Sequence, residues 1–341
     1  MKAVRYHGDG TLLMEDIADP RPGPEDVLLA PEAVGVCGTD THIVSGHFVS
    51  RPPVVLGHEI AARVLAVGER VEGLHTGQLI TVEPHLYCGR CTPCQTGRQH
   101  LCPDRQAPGV HLDGGMAERL VVPATLAYPV PDGVPAEHAA MTEPIACCIH
   151  GMDRLAPRSG LPLAVFGAGP AGAIMIALAK LAGAFPVVAL DPQESRRDLA
   201  RRMGADVVLD PRQDVADEVA AATDGDGFAA VIDAVGSARV LEQAVGSSAR
   251  GGRILVFGVS DPAERASLSP NDIYQRELTI LGTALNPYTH RRAVSLLQRL
   301  PLHELRTRTF GLDGVPDALE AQRGGVADKV FIRPQPMEVP A

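Results

Sequence analysis

The chain has 341 residues, of which 45% are hydrophobic and 21% charged, with a formal net charge of −10. That acidic balance argues against nucleic acid or an anionic membrane as the main partner. No apolar run reaches the roughly 18 residues of a membrane span, and "MKAVRYHGDG" lacks the apolar core of a signal peptide, so a cytoplasmic protein is expected.

In chain order, that opening stretch reads as the first strand of a domain. "GVCGTDTHIVSG" then brings Cys37, Thr39, Asp40 and His42 close together, and "LGHEIAARVLAVG" adds His58 and Glu59. Next comes "CGRCTPCQTGRQHLC", which holds four of the seven cysteines: Cys88, Cys91, Cys94 and Cys102. A reducing compartment makes a disulfide framework improbable, so clustered thiols point to metal. Gly89, Pro93 and Gly97 supply tight turns on which four thiolates can converge on zinc. Four thiolates leave no position for substrate, so this ion is expected to be structural. "MTEPIACCIHG" offers Glu143; Cys147 and Cys148 behind it read as packing residues. Cys37, His58 and a carboxylate form an open zinc set with room for water or substrate.

The second half alternates strand and helix patterns, which indicates a doubly wound parallel sheet. An apolar strand (Leu163 to Phe166) runs into Gly167-x-Gly169-x-x-Gly172, where Pro170 and Ala171 fill the spaces and an Ala-, Ile- and Leu-rich helix follows. These glycines let a pyrophosphate approach the backbone at a helix N-terminus. "PVVALD" ends on Asp191, which can accept hydrogen bonds from ribose hydroxyls and repel a 2′-phosphate, so NAD is expected over NADP. Arg196 and Arg197, on the next helix, are expected to face solvent or lie near the adenine.

The sequence resembles the medium-chain, zinc-dependent alcohol dehydrogenases, in their sorbitol/polyol and threonine dehydrogenase branch, over essentially its whole length. The likeness rests on "VCGTDTH", "GHE", "VEPHLYCGRCTPCQTGRQHLC", "DGGMAE", "GAGPAG" and "KVFIRP", in the family's order. Ala62 stands where the family usually has glycine. The resemblance implies an α/β fold: a GroES-like β-barrel catalytic domain over 1–145 and 286–341, with a structural zinc lobe at 84–104. A Rossmann NAD-binding domain is inserted over 146–285. It implies catalytic zinc on Cys37 and His58, with Glu59 or Glu143 completing the set and Asp40 orienting the histidine. Thr39 would receive the substrate proton and His42 would pass it to solvent. Cys147 would touch the nicotinamide.

Together these readings predict two zinc ions per chain and NAD-dependent, reversible oxidation of a secondary alcohol to a ketone. A polyol, cyclitol or sugar alcohol is the expected substrate, because Glu143 stands where ethanol-type relatives carry cysteine. L-Threonine or another amino alcohol or diol is the alternative. A zinc-free quinone reductase would lack Cys37, His58 and the four-thiol lobe. A non-enzymatic NAD-binding regulator would have lost Thr39 and His42. The resemblance also implies a homodimer or homotetramer.

Overall fold

The computed structural model describes residues 1–334. The chain divides into two units. The first comprises Met1–Pro144, His290–Arg299 and the stretch from Arg306 on; the second comprises Ile145–Thr289 and Leu300–Leu305. The chain thus returns to the first unit at His290, four residues beyond the expected 286. A short segment, Leu300–Leu305, belongs with the second unit although the sequence reading placed it with the first.

In the first unit, one sheet runs in the order Thr307–Phe310, Lys329–Ile332, Asp26–Gly35, Glu59–Val67, Leu79–Val82, Ala127–Pro129. Leu120–Pro123 also pairs with Asp26–Gly35. All its ladders are antiparallel except the one between Thr307–Phe310 and Lys329–Ile332. A smaller sheet joins Thr11–Asp16, Lys2–Gly8 and Val54–Val55. Buried and half-buried residues alternate along most of Asp26–Gly35, as expected for a strand with one face on a core. Val27, Leu29, Val34, Ile60, Val330 and Ile332 are among the residues of that core. Each such side chain contributes about 1.5–3 kcal/mol by burial, which fixes the strand order and with it the neighbours of the site below. Ala62 is fully buried opposite Pro31 and Ile80, so its extra methyl is accommodated within the sheet.

The second unit carries six parallel strands: Leu163–Phe166, Val187–Leu190, Val207–Leu209, Phe228–Asp233, Ser248–Val256 and Thr279–Gly282. Counted in that order they lie side by side as 3-2-1-4-5-6. This is the doubly wound dinucleotide-binding arrangement. The first two strands are buried at every residue, which explains why they read as unbroken apolar runs rather than alternating ones. Among the described residues no helix is long and apolar enough to cross a membrane.

Candidate metal centres and nucleotide turn

Among the described residues, two groups of metal-ligating side chains converge. The first is Cys37, His58 and Glu59, whose donor atoms all lie within 4.8 Å of one another. Cys37 caps the helix Gly38–Val44, directly after the strand Asp26–Gly35. Asp40, in the first turn, accepts the Cys37 N–H at 2.9 Å through Oδ2. Its other oxygen lies 3.5 Å from His58 Nδ1. Asp40 is fully buried, so this carboxylate braces both donors at once: it fixes the backbone of Cys37 and turns Nε2 of His58 away from itself. Burial alone would lower the His58 pKa, but the charges of Asp40 and Cys37 outweigh it and hold the value well above the ordinary one.

Glu59 opens the strand Glu59–Val67 and is 1% exposed. Its Oε2 lies 2.5 Å from Nζ of Lys329, itself 3% exposed. Lys329 also donates to the Val36 carbonyl at 3.1 Å. Burial would lower the pKa of this ammonium, but Glu59, Cys37 and Glu143 together raise it above the ordinary lysine value. Gly35 makes room for the pair: a Cβ there would stand 1.9 Å from Glu59 Oε2. Glu143 is buried in the first turn of the helix Thr142–Leu155 and is not one of the converging three. The Thr39 hydroxyl lies 3.7 Å from Cys37 Sγ. His42 is exposed, with its ring centroid 6.5 Å from that of His47.

The second group is Cys88, Cys91, Cys94 and Cys102. Cys91 caps the short helix Thr92–Gln95, which carries Cys94. Zinc bonded to four sulfurs at about 2.3 Å sets them about 3.8 Å apart. Here Cys91 and Cys94 are 3.4 Å apart and Cys88 and Cys94 4.0 Å, so the set fits a tetrahedral ion. Backbone N–H groups of Arg90 and Cys91 pull the Cys88 thiol down to about 6. Burial and the neighbouring thiols push Cys94 up to about 12. Without a cation the four cannot all ionise, and a dication removes that conflict.

In the second unit, Gly169 caps the helix Pro170–Leu181, with Pro170 at its first position and Ala171 next. Gly167 has φ +89°, and a Cβ on Gly172 would stand 1.9 Å from the Gly167 carbonyl oxygen. Both glycines are therefore required by the turn itself. Asp191 is 1% exposed: Oδ2 accepts the Ala168 N–H at 2.9 Å and Oδ1 the Gln193 N–H at 2.8 Å. Arg196 lies 3.8 Å from Asp191 Oδ2. Arg197 does not face solvent. It donates to the Asp191 and Pro192 carbonyls and lies 3.3 Å from Asp210, whose nearer partner is Arg212 at 2.5 Å. Beside this turn a cavity of about 200 Å³ is lined by Gly167, Pro192, Arg212, Val235 and Arg239. Cys148 Sγ donates to the Ala171 carbonyl at 3.6 Å, a packing contact against the same helix.

Lys329 and Gly35 were not singled out in the sequence. The available signal was a lysine opening "KVFI", a strand that is buried at all four positions.

An open thiolate–imidazole–carboxylate set, a closed four-thiolate set and a dinucleotide-type turn define a zinc-binding oxidoreductase architecture. Residues 23–132 match the alcohol dehydrogenase GroES-like domain and residues 170–299 the zinc-binding dehydrogenase domain. The chain is 36% identical over 333 residues to L-threonine 3-dehydrogenase of Pyrococcus horikoshii, covering 95% of both. It is 32% identical over 316 residues to D-arabinitol dehydrogenase 1 of Uromyces fabae, covering 91% of this chain and 90% of that one. The crystal structure of a zinc-binding dehydrogenase from Sinorhizobium meliloti 1021 bound to NADP superposes with a TM-score of 0.94 at 37% identity, covering 98% and 99% of the two chains. The protein belongs to the zinc-dependent medium-chain alcohol dehydrogenase family.

Proposed function

We propose that the protein reversibly oxidises a secondary alcohol carrying a neighbouring polar group, a polyol, cyclitol or sugar alcohol, to the ketone, with NAD as its cofactor. The observation that carries this reading is the gathering of Cys37, His58 and Glu59 in front of Asp40, with a second buried carboxylate, Glu143, in the first turn of Thr142–Leu155. Carboxylates make the site oxygen-rich and hard, which suits two vicinal oxygens approaching one ion. When bound, zinc supplies Lewis acidity towards the alcohol and NAD the acceptor for its hydride.

The residues of the chain do the rest. Cys37 and His58 hold the ion, with Glu59 or Glu143 as the carboxylate partner. Asp40 keeps the His58 proton on Nδ1, leaving Nε2 as donor to the ion. Thr39 takes the hydroxyl proton and His42, exposed on the same short helix, delivers it to solvent. Gly167, Gly169, Pro170, Ala171 and Gly172 form the pyrophosphate seat, Asp191 takes the ribose hydroxyls, and Arg196 flanks it. Cys88, Cys91, Cys94 and Cys102 hold the structural zinc. A cytoplasmic homodimer or homotetramer belongs to the same proposal; four clustered thiols stay reduced in that compartment.

A second reading, L-threonine or another amino alcohol as substrate, is favoured by the 36% identity to the Pyrococcus horikoshii enzyme. Comparing kcat/KM for sorbitol, xylitol, arabinitol, myo-inositol, 2,3-butanediol, threonine and ethanol tests both. The expected result is a polyol preference. A threonine preference selects the second reading, and an ethanol preference overturns both.

A further inference from the structure

Glu59 faces two claims. It is one of the three donors around the candidate ion, and it is the counter-ion of a buried ammonium 2.5 Å away. Three adjacent strands meet there. Lys329 opens Lys329–Ile332, Glu59 opens Glu59–Val67, and Asp26–Gly35 lies between them. Gly35 is opposite Glu59 in one ladder and Phe331 in the other. Its missing side chain is the notch through which lysine and glutamate meet, since a Cβ would overlap Glu59 Oε2. A plain structural tie between strands would need neither a charge nor a partner drawn from the metal set. A buried ammonium set against a thiolate and two carboxylates instead governs where that negative charge rests.

We propose that Lys329 is a positioning residue of the metal site: reaching across the central strand past Gly35, it holds the Glu59 carboxylate as its counter-ion and keeps it from filling the coordination position that substrate must enter. This rests on the reading of Cys37 and His58, with Glu59 beside them, as the catalytic metal site. Removing the ammonium frees the carboxylate, and its natural destination is the ion. The site would then be held more tightly and be less accessible.

The test uses full-length protein with cobalt in place of the catalytic zinc, because cobalt absorbs more weakly as its coordination number rises. Lys329→Met should weaken the visible band and slow chelator-driven release of this ion about tenfold, the scale on which partners behind metal ligands act. Lys329→Arg should keep the wild-type band and release rate. In a Glu59→Gln background, Lys329→Met should change neither, because the two substitutions act through one group. Should Lys329→Met fail to fold, Lys329→Gln, which can still donate to the Val36 carbonyl, takes its place. A wild-type band and release rate in the neutral variant, or an equal change in the Glu59→Gln background, would overturn the proposal. The reading beneath it fails differently: Cys37→Ser would leave metal content at the wild-type level.

Discussion

His290 gives a pH dependence whose size follows from its surroundings. It opens the helix His290–Leu296 and is fully buried. Its Nε2 lies 3.5 Å from the Thr81 hydroxyl, and its ring centroid is 4.8 Å from that of Tyr128. Burial lowers its pKa to about 3. An unfolded chain returns it to about 6.5, so below that pH the unfolded state binds the proton and the folded state does not. The contribution is therefore intact above about pH 6.5 and is lost as pH falls towards 3. The loss is about 1 kcal/mol at pH 5.5 and about 3 kcal/mol at pH 4.5, relative to pH 8. Urea denaturation of wild type and His290→Gln at these three pH values isolates it. Other groups, including the neighbouring Tyr128–Glu83 hydrogen bond, titrate in both proteins and cancel in the difference. The variant should be less sensitive to acid by those amounts. Parallel pH curves would refute the argument by showing that the imidazole reaches a proton without unfolding.

Gly35→Ala should destabilise the protein by about 3–5 kcal/mol, since the added methyl displaces Glu59 from Lys329 and breaks a buried pair. An unchanged denaturation midpoint would mean that the strand shifts to admit it. Elemental analysis should find two zinc ions per chain, and brief chelation should abolish activity before the circular dichroism changes, because the four-thiolate set is closed and the other open. Simultaneous loss of both would count against unequal sites. Asp191→Ala should weaken NAD binding and relax discrimination against NADP, as read from the ratio of kcat/KM values, and should also lower the melting temperature because Ala168 and Gln193 lose their acceptor. A wild-type preference for NADP would contradict the cofactor assignment.

Local features were legible in the sequence. The glycine turn after Leu163–Phe166 and the four cysteines within fifteen residues are set by short-range geometry, so spacing alone exposes them. The convergence of Cys37 with His58 and Glu59 needed more, and the sequence supplied it through motif order. Lys329 was out of reach because its role depends on which strands are neighbours, a product of the whole core rather than of any segment. The pairing of Arg197 was out of reach for a related reason. Its partner Asp210 lies beyond the next strand, and only the sheet order brings the two within 3.3 Å. The switch back at His290 was misplaced by four residues because 286–289, with Thr289 donating to the Ala146 carbonyl, are tied to the second unit by contacts invisible in composition.

The strand Lys329–Ile332 has a consequence for synthesis. It emerges from the ribosome after every other strand of the described residues, yet it lies beside Asp26–Gly35, one of the earliest. Until it arrives, the nascent chain presents Cys37, His58 and Glu59 beside an unpaired sheet edge, with a carboxylate that has no ammonium to face. The inserted second unit, a nearly continuous run from Ile145 to Thr289, can form its parallel sheet during that wait. Completion of the metal site therefore waits until this strand has been made. A chain stopped short of Lys329 would leave Glu59 without its ammonium partner.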